Sequence, residues 1–245
     1  MKYLHDFGLY FIMLKGVFSR FTKWSALRKL IFKEIDDLII GSLGIVAFIS
    51  FFVGGVIAIQ TALNIDNPLI PKYLVGFATK QSVILEFAPT FMSIIMAGKV
   101  GSFITSSIGS MRVTEQIDAL EVMGINSLNY LVFPKLISML LYPFLITIAM
   151  FLGILGGWVA CVYGGFSTHD DFVLGLQAEF DSYQVFYSYV KTFFFAIVLA
   201  TVPSFHGYYM KGGALEVGKA ATASFVWTSV IIIILNYIIT QLMLT

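Results

Sequence analysis

The run Leu38–Leu63, LIIGSLGIVAFISFFVGGVIAIQTAL, contains no Asp, Glu, Lys or Arg. A helix that crosses ~30 Å of hydrocarbon needs about 20 consecutive, mostly apolar residues, and this run exceeds that length. Thr222–Leu244, TASFVWTSVIIIILNYIITQLML, meets the same test. Three more apolar stretches carry isolated charges or prolines: Tyr73–Met96, Leu131–Val162 and Phe186–Phe205. Because backbone polar groups in lipid must be satisfied within the segment, runs of this length span as helices. The expected fold is an all-α integral membrane protein with five transmembrane helices.

Composition agrees. Hydrophobic residues make up 58% of the 245 positions, charged residues 12%, and mean hydropathy is +0.89, whereas an ordinary soluble domain is about one quarter charged. The segments between spans are too short to build a soluble catalytic core unaided, so residues 1–245 are expected to form one membrane domain. The N-terminus lacks the small-residue cleavage site of a signal peptide. The single Cys161 excludes an internal disulfide. His5, His169 and His206 are scattered, so neither a metal site nor a catalytic site is predicted, and nothing points to nucleic acid.

Lys and Arg collect on the cytoplasmic side of membrane spans. With a cytoplasmic N-terminus, seven bases (Lys2, Lys15, Arg20, Lys23, Arg28, Lys29, Lys33) precede the first span, Lys99, Arg112 and Lys135 surround the second-to-third connection, and Lys211 and Lys219 precede the fifth. That places twelve of fifteen inside. Lys72 and Lys80 fall outside or at the outer boundary, and Lys191 within span four. The loop 163–183 carries Asp170, Asp171, Glu179 and Asp181 with no base, so it and the C-terminus are expected outside.

Apolar residues at Tyr3, Leu4, Phe7, Tyr10, Phe11, Leu14, Val17, Phe18 and Phe21 recur at helical spacing. Residues 1–35 are therefore expected to form an amphipathic helix in the cytoplasmic interface, held by apolar area and anionic headgroups. Packing against the chain's own spans is the alternative, and both can hold together.

The middle third carries the functional information. Ala97, Gly101, Thr105 and Gly109, with Gly98, Ser102, Ser106 and Ser110 beside them, give a flat small-residue face suited to close helix packing. Residues 111–124, MRVTEQIDALEVMG, then form a polar insert between spans. Thr114 is placed to cap it, Glu115 and Asp118 suit its N-terminal end, and Gly124 suits a left-handed terminus. Val113, Ile117 and Leu120 make an apolar stripe, giving a helix suited to contact with a soluble partner.

The stretches Ala97–Gly101 and Gly109–Gly124 closely resemble the signature of the MlaE permease family. Glu86-Phe87-Ala88-Pro89 upstream and Gly207-Tyr208 and Gly213-Ala214 downstream extend the resemblance from about Leu38 to the C-terminus. It implies a homodimer in the bacterial inner membrane, bound to a pair of ABC ATPase subunits and to a periplasmic MCE-domain protein, with a STAS-domain protein in some systems. The implied substrate is phospholipid. Residues 111–124 become the ATPase-coupling helix, with Arg112, Glu115, Gln116, Asp118, Leu120 and Glu121 as contacts. The resemblance implies no cofactor on this chain, with ATP and magnesium held by the ATPase.

The run 213–220, GALEVGKA, nearly fits the phosphate-cradling pattern G-x-x-x-x-G-K-[ST]. Ala220 lacks the hydroxyl that would ligate magnesium, so a cytoplasmic turn presenting Lys211 and Lys219 to headgroups or the ATPase is expected instead.

Ionisable residues within a membrane are costly and default to functional candidates. Glu86 lies twelve residues from Gly98 and fourteen from Lys72, near the bilayer centre at about 1.5 Å per residue. Lys191 lies in the outer half of span four. Pro89 removes a backbone donor three residues after Glu86, so a kink or local unwinding is expected there. The family resemblance makes Glu86, Lys191 and Asn236 a substrate cavity open to the periplasm, although the family carries a carboxylate where this chain has Asn236. A structural ion pair of Glu86 with Lys191 has the same sequence pattern. The rival functional reading is a proton- or ion-coupled secondary transporter using those two residues. It lacks the inverted repeat common in such carriers.

Overall fold

A computed structural model of the chain describes residues 2–19, 22–65 and 70–244, with side chains from His5 onward. Arg20, Phe21 and the side chains of Lys2, Tyr3 and Leu4, which belong to the N-terminal stripe and basic cluster, lie outside the described residues.

Helices are numbered in chain order. They are α1 (Lys2–Val17), α2 (Trp24–Glu34), α3 (Leu43–Asn64), α4 (Tyr73–Ser82), α5 (Met92–Met96), α6 (Ser102–Val113), α7 (Gln116–Val122), α8 (Ser127–Met139), α9 (Tyr142–Tyr163), α10 (His169–Gln177), α11 (Ser182–Tyr208) and α12 (Ala214–Leu244). Among the described residues there is no strand, and five continuous helical segments are long and apolar enough to cross a membrane: Trp24–Asn64, Tyr73–Val113, Ser127–Tyr163, Ser182–Tyr208 and Ala214–Leu244. The all-α, five-span architecture is thus the one expected. The helices run past the apolar stretches, through polar and small residues that continue the hydrogen-bond ladder.

Three corrections concern the connections. Within residues 1–35, expected as one helix, the described residues hold α1 and α2, and α2 continues into the first span through π-helical Ile35–Ile39 and a 3₁₀ turn at Ile40–Ser42. The loop 163–183 contains α10, whose Thr168 side chain accepts from Asp171 N at 3.2 Å as an N-cap. The turn expected around 211–220 ends at Gly213, and Gly218 and Lys219 lie in the first turns of α12. A helical backbone there presents no phosphate cradle.

The chain packs as two compact units. One comprises Met1–Gly41, Ile94–Tyr142 and Phe194–Tyr237, the other Ser42–Ser93, Pro143–Phe193 and Ile238–Thr245.

In the first unit, the small-residue row lies close to neighbouring side chains. A Cβ on Gly101 would meet Pro203 at 3.4 Å, one on Gly109 would meet Met210 at 2.9 Å and Val217 at 3.2 Å, and Gly98 faces Phe225 at 3.7 Å. Ala97 is fully buried, within a π-helical turn at Ala97–Gly101. Thr105 donates to the Pro203 carbonyl at 3.0 Å, and Gly207 lies so close to α6 that a Cβ would fall 2.8 Å from the Thr105 carbonyl. Close approach of this kind drives helix association where water supplies no hydrophobic force.

The N-terminal helix docks on this unit. Met13 and Val17 are buried. Buried Asn129 donates to the Val17 carbonyl at 2.8 Å and accepts from Thr22 N at 3.0 Å. The Thr201 hydroxyl donates to Ile197 O, so Tyr10 donates to Thr201 at 2.7 Å. Burial pushes the Tyr10 phenol up, opposed by that bond. Phe7, Phe11, Ile12 and Phe18 remain exposed on the other side. Below, Lys135 pairs with Glu34 at 2.5 Å and Ser138 donates to Ile31 O at 3.1 Å, tying α2 to α8.

The second unit is built on glycine crossings. A Cβ on Gly54 of α3 would sit 2.0 Å from the Gly153 carbonyl of α9, and one on Gly156 would sit 1.9 Å from that of Phe51. The glycines of span three therefore serve packing. Helix α10 lies on α4 in the same manner, at Gly76 against the Phe172 carbonyl and Gly175 against that of Tyr73.

Candidate functional site

Two sites hold the predicted residues. In the second unit, the helix passes Pro89 without breaking. Val83–Phe91 adopts π-helical geometry, a wider turn that admits the proline ring. Pro89 offers no N–H to the turn before it, and within that turn the Leu85 carbonyl accepts from Lys191 Nζ at 3.3 Å. Lys191 also donates to Glu86 Oε1 at 2.8 Å. Thr90, one turn after Glu86, donates to Oε2 at 3.1 Å. The Lys191 ammonium lies 4.3 Å from the Tyr187 ring centre, and Tyr187 and Thr240 share a hydrogen bond of 2.7 Å.

Glu86 and Lys191 are therefore paired, with unequal burial. The Lys191 side chain is fully enclosed and that of Glu86 is 42% exposed. The π-helical turn thus supplies a carbonyl, α11 an ammonium, and the carboxylate remains the presented group. Asn236 is half-buried on α12 in the first unit, one helical turn before Thr240.

Lys80 makes contacts that the sequence reading did not anticipate. It is 2% exposed within the second span and donates to the carbonyls of Ala178 at 2.6 Å and Leu176 at 3.3 Å. A cation at the C-terminal end of α10 meets the negative end of the helix dipole. Period-based reading missed it because the partner carbonyls lie 96 and 98 residues away.

The second site is the polar insert of the first unit. Helix α7 begins at Gln116, one residue beyond Glu115, which takes a left-handed φ of 58°. Thr114 is not the cap. Its hydroxyl donates back to the Ser110 carbonyl at 2.9 Å and closes α6, because the chain must reverse between Val113 and Gln116. The other end is as expected: Gly124 has φ 74°, and Gly124 N to Glu121 O at 2.9 Å with Ile125 N to Leu120 O at 3.0 Å complete a Schellman motif.

Ile117 is buried and Leu120 half-buried, as the stripe predicts. Three of the expected partner contacts are engaged within the chain. Arg112 donates to Asp118 at 2.8 Å and to the Tyr208 carbonyl at 3.2 Å. Glu121 Oε1 accepts from Ser127 at 2.9 Å and from the Tyr208 phenol at 3.0 Å. Burial holds the neighbouring Tyr209 phenol above its ordinary value, opposed by Arg112. The outward face carries Glu115, Gln116, Asp118 and Ala119, with Val122 89% and Met123 65% exposed.

Residues 31–242 match the family described as Permease MlaE. The chain belongs to the MlaE family of ABC transporter permeases. A Rickettsia bellii protein named Probable ABC transporter permease protein is 34% identical over 214 residues, 87% of this chain and 82% of its own. A Synechocystis protein with the same designation is 31% identical over 203 residues, 82% and 77% of the two chains. The Intermembrane phospholipid transport system permease protein MlaE of Haemophilus influenzae is 26% identical over 219 residues, 87% and 82%. In this MlaE-family chain, the small-residue row and the polar insert that carried the resemblance form the packing face of α6 and the pinned helix α7.

Proposed function

We propose that this chain is one permease domain of a homodimeric ABC transporter that moves phospholipid between the bacterial inner membrane and a periplasmic MCE-domain protein. ATP and magnesium are bound by a separate ATPase, which docks on α7 from the cytoplasm. The observation that carries this reading is the face of α7. A helix seven residues long is too short to stand alone, yet it is pinned at both ends and presents Val122 and Met123 outward. An apolar pair rimmed by Glu115, Gln116 and Asp118 matches the apolar centre and polar rim of a protein interface.

The N-terminus and α7 are placed in the cytoplasm and α10 and the C-terminus in the periplasm, with the exposed face of α1 against headgroups. Phospholipid as cargo is supported by the name of the Haemophilus relative. Glu86, whose side chain is 42% exposed, meets the headgroup and Lys191 holds it; Asn236 stands where the family resemblance implies a carboxylate. A STAS-domain protein is a further candidate subunit.

The test is a Val122→Asp/Met123→Asp double variant, purified with its ATPase and reconstituted in phospholipid vesicles. Loss of ATPase co-purification with normal membrane insertion is expected. Full assembly and lipid transfer would refute the docking assignment, and transport by the lone subunit, without ATPase, would favour ion-coupled exchange at Glu86 and Lys191.

A further inference from the structure

Helix α7 buries a single side chain completely, Ile117, so its orientation depends on the polar contacts at its two ends. Tyr208, the last residue of α11, serves both. Its backbone carbonyl accepts from Arg112 Nε, its ring lies 5.1 Å beneath the same guanidinium, and Arg112 reaches Asp118 in the first turn of α7. Its phenol meets Glu121 in the last turn and stands 2.8 Å from the Ser127 hydroxyl at the start of α8.

The two ends are unequal. The Arg112 and Asp118 side chains are 29% and 57% exposed, and solvent-screened pairs of this kind contribute little. Tyr208 and Ser127 are 6% and 3% exposed, so two shielded hydroxyls converge on one carboxylate oxygen. Hydrogen bonds to a charged acceptor are the stronger class. With only two hydroxyl protons among three oxygens, removal of either hydroxyl leaves Glu121 held on one side alone.

We infer that Tyr208 is the positioning residue of the coupling helix, which fixes α7 to the end of α11 through its phenol so that a push on α7 is delivered to that span. This rests on the reading of α7 as the ATPase contact. Tyr208→Phe keeps the ring under Arg112 and removes only the hydroxyl, and Ser127→Ala removes the second donor.

The experiment uses the intact complex in phospholipid vesicles, comparing both variants with the Val122→Asp/Met123→Asp variant. For Tyr208→Phe and Ser127→Ala the expected result is unchanged subunit yield and KM for ATP. Lipid moved per ATP hydrolysed should fall roughly tenfold, the scale of one lost hydrogen bond to a charged group. Amide exchange should quicken in residues 116–122. Wild-type transfer per ATP and exchange in both variants, while the double variant loses assembly, would overturn the role of Tyr208 and leave the docking reading intact. Normal assembly and transfer in the double variant would overturn both.

Discussion

Lys191 is fully enclosed, while Glu86, the carboxylate it holds at 2.8 Å, keeps 42% of its side chain exposed. Removing one member of a buried pair costs about 3–5 kcal/mol when the survivor is left uncompensated in a low dielectric. Glu86→Ala strands an enclosed ammonium and is expected to approach that cost. Lys191→Met leaves a carboxylate with access to solvent and its Thr90 bond, so its cost, discounted for screening, is ~1 kcal/mol. Thermal unfolding of the two variants and the double variant checks the asymmetry. The double variant should be more stable than Glu86→Ala, and equal losses in the single variants would contradict it.

Lys80 fastens α10 to α4 by two carbonyls. Lys80→Met keeps the aliphatic stem and removes the donors, at a cost of about 1–3 kcal/mol. Amide exchange in residues 169–177 should accelerate by at least roughly tenfold, with α3 and α9 unchanged. Unaltered protection of α10 would show that the Gly76 and Gly175 crossings suffice.

The glycines divide sharply. Gly156→Ala drives a methyl to 1.9 Å from the Phe51 carbonyl, whereas a Cβ on Gly218 meets nothing within 4 Å. Gly156→Ala is expected to cost at least 2 kcal/mol, on the order of an overpacked core, and Gly218→Ala to stabilise α12 by roughly 0.5–1 kcal/mol. Unfolding in detergent measures both. Loss of transporter ATPase activity in Gly218→Ala with normal assembly would contradict the helical, non-nucleotide role of residues 213–220.

Asn129 is fully buried and bonded to Val17 and Thr22. Asn129→Ala orphans both backbone groups, at about 1–3 kcal/mol for each one left shielded from water. Protease sensitivity should rise within residues 5–23 and leave the spans intact. Unchanged cleavage would mean that Met13, Val17 and the Tyr10 bond hold α1 alone.

Hydropathy is a local sum over about 20 residues, and for that reason Leu38–Leu63 and Thr222–Leu244 settle the fold class without any partner. The turn chemistry of Gly124 and the packing row 97–109 are local in the same sense, because a left-handed terminus and a flat face follow from residue type and helical spacing. Thr114 misled because a capping residue depends on which way the chain turns, and here α6 claims its hydroxyl.

Partner choice across helices belongs to the tertiary structure. Glu86 and Lys191 are 105 residues apart, Glu121 and Tyr208 are 87 apart, and Lys80 and Ala178 are 98 apart. Whether such groups meet depends on the rotation and crossing of each helix, which glycine contacts and the π-helical turns set and hydropathy does not encode. The sequence by itself determined five membrane spans and a polar insert of a known family. Only the folded chain decided that Arg112, Asp118 and Glu121 are bonded within the chain, that Val122 and Met123 face out, and that Lys191 is hidden behind the carboxylate it supports.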